Sequence, residues 1–153
     1  MSKDPSLTIR NFFTQTPEMP VNNKWDTLWQ NSHTPWDRGQ ASPALEELVL
    51  DKHFPLVTSG KPGKALVPGC GRGYDVVFLA GLTADDQKME KVVGLDVSPK
   101  AVEEARILHK DAPGQSEFIE GDFFSETEDW AKIGPYDVVY DYTVSLLGFG
   151  LTW

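Results

Sequence analysis

Hydrophobic residues recur along this chain in short runs that alternate between the period of a strand and the period of a helix. Helical spacing follows a strand-like run in YDVVFLAGL (residues 74–82). It follows another in the segment that begins with Ser98 and Pro99. In that segment Ala101, Val102, Ala105 and Leu108 form an apolar stripe. The predicted strands are KALVP, KVVGLDVS, SEFIEGDFF and YDVVYDYT. Alternating strands and helices predict an α/β domain with a parallel sheet covered on both faces.

The region before the first strand has a different pattern. Residues 1–22 contain Pro5, Pro17 and Pro20 without a helical or strand period, which predicts a loose N-terminal arm. Trp25 and Trp29 recur at helical spacing in NKWDTLWQN and predict a short amphipathic helix. Ser42 before Pro43 is the N-cap and first-position signal of a further helix, which runs through about Leu50.

Composition limits the possible partners. At 153 residues with 40% hydrophobic content, the chain can bury one ordinary core. A net charge of −9 with scattered basic residues argues against nucleic acid as a partner. No apolar run is long enough for a membrane span, no targeting signal opens the chain, and Cys70 is the single cysteine. These features predict a soluble, cytoplasmic protein.

The most informative segment is GCGRG, which joins the first strand to the next helix. Gly69, Gly71 and Gly73 let a ligand approach the backbone where helix amide groups are unpaired. The spacing is G-x-G-x-G, and Tyr74 occupies the place of the third glycine of a dinucleotide fingerprint. A Walker lysine is also absent from the sequence, so neither dinucleotide nor nucleoside triphosphate binding is favoured.

Two acidic residues follow the next two predicted strands. Asp96 ends the second strand, where its carboxylate can accept hydrogen bonds from ribose hydroxyls. In GDFF, Asp122 can accept an adenine amino proton and Phe123 can stack on the ring. Alternatively, the loop is a mere connection, Asp96 caps the helix after it, and Phe123 belongs to the core. The joint pattern indicates an adenosine site without pyrophosphate, and S-adenosylmethionine is the ligand that matches.

Longer motifs carry a specific resemblance. WDTLWQNSHTPWDRGQASPALEELV, LVPGCGRGYDVVFLA, VVGLDVSPKAVEEA, GDFF and YDVVYDYT resemble the thiopurine S-methyltransferase family over about residues 23–143. Within that family the chain looks like the thiol, thiocyanate and halide methyltransferase branch of plants and fungi. The resemblance implies a Rossmann-like S-adenosylmethionine-dependent methyltransferase fold and a small-molecule acceptor. An O-methyltransferase of secondary metabolism is the alternative within the same family.

The resemblance also implies roles for individual residues. Trp25, Trp29 and Trp36, which we call the aromatic lid, resemble the residues that close over the methionine end of the donor. Trp25 and Trp29 can alternatively be only the apolar face of a helix. The remaining implied donor-site residues are Gly69 in the loop, Asp96 at the ribose, Asp122 and Phe123 at the adenine, and Asp141 and Tyr142 beside the methyl group.

No catalytic base stands out, and a thiolate or thiocyanate nucleophile does not require one. His33 is predicted to be an exposed loop residue, whereas His53 and His109 lie at helix ends, where dipole compensation explains them. Cys70 is predicted to be a small side chain packed behind the glycine turn. No metal-ligand spacing occurs in the sequence.

The resemblance stops after YDYT. Residues 144–153 read VSLLGFGLTW, an atypical tail, and the family continues with more strands. We therefore expect a truncated sheet of order 3-2-1-4, whose fourth strand is an exposed apolar edge open to self-association. A catalytically incomplete S-adenosylmethionine-binding fragment is thus a second functional alternative.

Overall fold

The computed structural model describes residues 5–51, 55–112, 114–125 and 129–142. Within these ranges the chain alternates helices and strands from the first strand onward, as the hydrophobic pattern predicts. The helices are α1 (Pro5–Gln15), α2 (Val21–Gln30), α3 (Pro43–Leu50), α4 (Tyr74–Ala80), α5 (Pro99–Leu108) and α6 (Asp129–Ile133). The strands are β1 (Gly63–Pro68), β2 (Met89–Asp96), β3 (Ser116–Glu120) and β4 (Val138–Val139).

All strand pairs of the sheet are parallel, and the strand order is β3-β2-β1-β4. In β1, Ala65 pairs with Val92 on one side and with Val138 on the other. The predicted order 3-2-1-4 is therefore confirmed. β4 is one of the two edge strands of the described sheet, and Val139 on it is 51% exposed.

Side chains of β1 alternate between two cores, one on each face of the sheet. Ala65 and Val67 face a core completed by buried residues of α3, α4 and α5, among them Leu79. Leu66 faces the second core, against which Trp130 of α6 packs. The prediction that both faces are covered is confirmed. Truncation of a fully buried leucine such as Leu79 to alanine typically costs about 2–5 kcal/mol.

The prediction of a loose arm without helical period is wrong for residues 5–15, which form α1. The missed signal is the spacing of Ile9, Phe12 and Phe13, which are partly buried on one face of the helix. Phe13 packs against Trp25 with ring centroids 5.0 Å apart, and its carbonyl accepts a hydrogen bond from Lys24 Nζ at 3.3 Å. The arm is thus anchored to α2.

The helix starts agree with the predicted proline positions, but only one predicted N-cap uses its side chain. Ser98 Oγ accepts a hydrogen bond from the Ala101 N–H at 3.1 Å. Ser42 makes no side-chain cap, and its Oγ instead accepts a hydrogen bond from the Tyr140 hydroxyl at 3.0 Å. Tertiary contact with the chain after β4 therefore replaces the local cap.

The predicted stripe of α5 is correct at three positions and wrong at the fourth. Ala101, Val102 and Ala105 are buried, whereas Leu108 is 50% exposed. The ring of His109 instead continues the buried face and stacks on Phe118, with centroids 5.9 Å apart. In the part of the chain that the structure describes, no helix combines the length and apolar character needed to cross a membrane.

Candidate functional site

The glycine loop, residues 69–73, leaves the carboxyl end of β1 and enters α4. Gly69, Gly71 and Gly73 all have left-handed φ values, 60°, 52° and 80°. A Cβ on Gly73 would lie 2.3 Å from Phe118 Cε1, so the loop closes directly on the side chain of β3. Both the backbone conformation and the space beneath the loop therefore require glycine at this position.

Asp96 connects the end of β2 to the glycine loop. Its Oδ2 accepts a hydrogen bond from the Gly71 N–H at 2.9 Å, and its Oδ1 accepts one from the Ser98 N–H at 3.0 Å. Burial raises the pKa of Asp96, and the negative charge of Asp26 adds to the rise, while backbone N–H donors oppose it. The structure thus brings together two predicted site residues, although Asp96 also caps the start of α5, as the alternative held.

The GDFF segment lies beside Asp96, because the Gly121 N–H donates to the Asp96 carbonyl at 3.0 Å. Asp122 Oδ1 accepts a hydrogen bond from the Phe124 N–H at 2.9 Å. Phe123 is partly buried and packs near Trp130, with ring centroids 5.7 Å apart. The carboxyl end of β3 therefore lies next to that of β2. The packing of Phe123 supports its alternative role as a core residue.

The aromatic lid forms a contiguous cluster in the structure. The Trp36 ring meets those of Trp25 and Trp29 edge to face, at centroid distances of 5.4 and 6.0 Å. Trp36 is 38% exposed, whereas Trp29 is only 3% exposed. A Cβ on Gly71 would lie 3.2 Å from Trp29 Cζ2, so this ring sits against the glycine loop. Trp29 thus fits the helix-packing alternative, and Trp36 keeps a free ring surface.

Arg72 is a central residue of this region that the sequence reasoning missed. Its guanidinium forms ion pairs with Asp37, and with Glu104 at an Nε to Oε2 distance of 2.9 Å. Its Cζ also lies 5.2 Å from the centroid of the Trp29 ring. An arginine between two loop glycines was the available signal, but its partners are remote in sequence.

Asp141 and Tyr142 follow β4 at the same edge of the sheet. The register pairs Leu66 with Val139, and the Tyr140 N–H donates to the Leu66 carbonyl at 2.9 Å. Asp141 is partly buried, while Tyr142 is 58% exposed, so most of the Tyr142 side chain lies in solvent. The predicted tail at 144–153 lies outside the described residues.

Cys70 occupies the space between the glycine loop and β2. A Cβ on Gly94 would lie 2.9 Å from Cys70 Sγ, and burial raises the pKa of the thiol well above its usual range. Asp96 raises this pKa further through its charge. The prediction of a packed side chain behind the turn is confirmed.

The structure contradicts the predicted exposure of His33 and agrees with the predicted position of His109. His33 is partly buried rather than exposed, and its Nε2 is a buried atom without a hydrogen-bond partner. His109 lies at the end of α5 as predicted; burial lowers its pKa, and a hydrogen bond with the Arg72 backbone opposes this shift. Its ring packs between Tyr74 and Phe118. His53 lies outside the described residues.

Two further observations concern metal ligands and cavities in the described residues. No group of three or more His, Cys, Asp or Glu side chains there is placed to hold a metal ion. An open groove of about 510 Å³ lies beside Arg72, but neither Asp96 nor Asp122 lines it. The groove is lined by Asp37, Gly39, Arg72, Tyr74, Glu104, Ile107 and Leu108.

Comparison with known proteins agrees with this arrangement. The family model "Thiopurine S-methyltransferase (TPMT)" matches residues 21–146. Thiocyanate methyltransferase 1 of Brassica oleracea is 36% identical over 130 residues, which are 84% of this chain and 50% of that protein. Probable thiol methyltransferase 2 of Arabidopsis thaliana is 35% identical over 136 residues, 88% of this chain and 53% of that protein. The chain thus spans about half the length of these relatives.

Solved structures share the fold. The structure described as "Conversion of a Disulfide Bond into a Thioacetal Group during Echinomycin Biosynthesis" matches with a TM-score of 0.60 and 28% identity, covering 82% of this chain and 49% of that one. A SAM-dependent methyltransferase from Thiobacillus denitrificans, solved with S-adenosyl-L-homocysteine, matches with a TM-score of 0.53 and 19% identity, covering 87% and 47%. The described sheet and helices therefore have the Rossmann-like fold of S-adenosylmethionine-dependent methyltransferases.

Proposed function

The chain belongs to the thiopurine S-methyltransferase family, and on that premise we propose that it binds S-adenosylmethionine and transfers its methyl group to a small thiol, thiocyanate or halide. The observation that carries the proposal is the hydrogen bond from Gly71 to Asp96. It joins the glycine loop after β1 to Asp96 at the end of β2. In parallel sheets, ligands bind at these carboxyl ends of the strands.

The residues at this edge fit the proposed donor. Gly69 is exposed with a left-handed φ of 60°, so a ligand can approach the backbone without meeting a side chain. A carboxylate has about four acceptor positions, so Asp96 can accept a ribose hydroxyl in addition to its two backbone donors at 2.9 and 3.0 Å. The proposed adenine residues, Asp122 and Phe123, lie directly after the neighbouring strand.

When bound, S-adenosylmethionine supplies an electrophilic methyl group on a sulfonium cation. The exposed ring of Trp36 offers an aromatic face that attracts such a cation, with Trp25 and Trp29 orienting it from the side. Asp141 and Tyr142 complete the proposed wall beside the methyl group. The task of these residues is to align donor and acceptor and to exclude water, which is the main requirement of an in-line displacement.

The choice of a sulfur or halide acceptor rests on two supports. The plant relatives that match at 36% and 35% identity are named as thiocyanate and thiol methyltransferases. A thiolate or thiocyanate is already a nucleophile, so the chemistry needs no base from the protein. Oxygen methylation is the alternative in the same family, and it would require one.

A donor-binding chain without turnover is the second candidate. It is favoured by the described site, where hydrogen bonds join Gly71, Asp96 and Gly121 of the proposed donor side, whereas Tyr142 beside the proposed methyl position is 58% exposed. Under this proposal the chain binds S-adenosylmethionine and transfers no methyl group.

Calorimetry with S-adenosylhomocysteine tests the shared premise. We expect binding to the parental chain, and Asp96→Asn should weaken it by about tenfold or more, because one ribose acceptor is lost. Asp85→Asn, on an exposed turn, is the matched control and should bind normally. No binding by the parental chain would refute the premise.

Turnover assays then separate the candidates. Methylation of thiocyanate, sulfide or a model thiol supports the enzyme, and methylation of a phenol alone supports the oxygen alternative. Binding without turnover of any acceptor supports the donor-binding candidate.

Location and partners are proposals as well. The absence of nucleic acid and membrane partners is supported by the net charge of −9 and by the scattered basic residues, and a cytoplasmic location is supported by the single cysteine, Cys70, which fits a reducing compartment. Self-association through β4 is supported by its edge position and by the exposure of Val139. Sedimentation velocity over a range of concentrations tests it, since a monomer throughout would contradict this proposal.

A further inference from the structure

We propose that Arg72 is a positioning residue that couples the aromatic lid to the glycine loop, so that donor affinity depends on its ion pair with Asp37. The inference rests on the proposed function, because the donor is what the coupled elements would bind. It adds a residue outside the predicted donor contacts. We call the Arg72 and Asp37 pair, together with the contact of Arg72 on Trp29, the lid clamp.

Arg72 contacts three separate parts of the fold. It pairs with Asp37 in the connection between α2 and α3, with Glu104 on α5, and it lies over the Trp29 ring of α2 at 5.2 Å. The side chain of Asp37 is 10% exposed and that of Arg72 is 28% exposed, so water screens this pair only in part. A planar guanidinium suits this position because it can pair with two carboxylates and stack on a ring.

On the lid side, Asp37 is held in a fixed turn next to Trp36. Its Oδ1 accepts a hydrogen bond from the Gly39 N–H at 2.8 Å, and its own N–H donates to the Thr34 carbonyl at 3.0 Å. Because Trp36 directly precedes Asp37, a force on this carboxylate acts on the backbone that carries the Trp36 ring.

On the loop side, Arg72 lies between two left-handed glycines. The neighbouring Gly71 N–H donates to Asp96 Oδ2 at 2.9 Å, and Gly73 closes on Phe118. The lid clamp therefore links Trp36 to Asp96 through the backbone of residues 71–73.

Two other carboxylates connect α2 and the start of α3 to the rest of the fold. Asp26 accepts hydrogen bonds from Ser98 Oγ at 2.6 Å and from the Lys100 N–H at 3.2 Å, while Asp75 accepts one from the Ser42 N–H at 2.6 Å. These contacts tie α2 to the first turn of α5, and the start of α3 to the first turn of α4. The lid clamp differs from them because it acts on the glycine loop itself.

The test compares two isosteric variants that each remove one negative charge beside Arg72. Asp37→Asn removes the charge of the lid clamp, and Glu104→Gln is the matched control, which removes the charge on α5 and leaves the lid clamp intact. Hydrogen exchange of the amides in residues 34–42 and 69–73 is measured for both, together with the dissociation constant for S-adenosylhomocysteine. Arg72→Lys serves as a third variant that keeps the charge.

We expect Asp37→Asn, which loses the negative charge of the ion pair, and Arg72→Lys, which loses the planar guanidinium, to speed exchange in both segments and to weaken binding about tenfold. Glu104→Gln should leave binding within about twofold of the parental chain. Equal effects of Asp37→Asn and Glu104→Gln, or faster exchange in 34–42 with 69–73 unchanged, would overturn the proposal. If the parental chain binds no S-adenosylhomocysteine, the proposed function fails, and the exchange data alone decide whether the lid clamp exists.

Discussion

The glycine loop offers a sharp test of the physical reasoning through Gly73→Ala. The residue has a φ of +80°, and a Cβ there would lie 2.3 Å from Phe118 Cε1 and 2.7 Å from its Cζ. A left-handed conformation costs a non-glycine residue about 1–2 kcal/mol. Forcing extra volume into a packed site typically costs about 1–3 kcal/mol. Together the two costs lower the free energy of unfolding by about 2–5 kcal/mol.

Gly60→Ala is the matched control for the backbone contribution. Gly60 has a φ of +70°, but no atom lies within 4 Å of its ideal Cβ position. We therefore expect Gly60→Ala to cost about 1–2 kcal/mol, so the difference between the two variants isolates the contact with Phe118. Urea unfolding followed by tryptophan fluorescence measures both values.

A double-mutant cycle checks the assigned partner. In a Phe118→Leu background the ring atoms that clash with the added methyl group are absent, so Gly73→Ala should cost about as much there as Gly60→Ala does, about 1–2 kcal/mol. Equal costs for Gly73→Ala and Gly60→Ala in the parental chain would refute the steric argument. A cost at Gly73 that does not depend on residue 118 would refute the assignment to Phe118.

Two further predictions concern titratable groups at the site. Because burial raises the pKa of Cys70, we expect no reaction of the folded chain with Ellman's reagent at pH 8 and one reactive thiol after denaturation; rapid labelling of the folded chain would contradict this packing. Burial lowers the pKa of His109, so the unfolded chain binds this proton more tightly, and stability should fall as the pH drops below about 6.5. The melting temperature of His109→Gln should therefore decline less between pH 7.5 and 5.5 than that of the parental chain, and parallel declines would show that His109 makes no such contribution.

Much of the fold was predictable because its signals are local. The apolar periods of β1 to β3 and the proline positions at the starts of α3 and α5 depend on neighbouring residues. The glycine spacing of residues 69–73 likewise indicated a loop with an accessible backbone, and the structure has left-handed φ values at all three glycines. The missed helix α1 had only a short apolar spacing, which three prolines nearby outweighed.

The candidate site was predictable only as a set of strand ends. The position of Asp96 at the end of β2 follows from the sequence pattern, but its hydrogen bond to the Gly71 N–H, 25 residues away, does not. Similarly, an apolar stripe on α5 was predicted, but burial of the His109 ring in place of Leu108 depended on the position of Phe118.

The sequence by itself determined the family and the alternation of strands and helices, because both are encoded by short motifs or by a repeating period, and the strand order followed from the resemblance to that family. Only the tertiary structure decided which residues hold the loop in place. Arg72 pairs with Glu104 across 32 residues, and Asp26 accepts from Ser98 across 72. Such contacts have no local pattern, since chain folding alone brings these polar groups within hydrogen-bond distance, and burial then determines how strongly they interact.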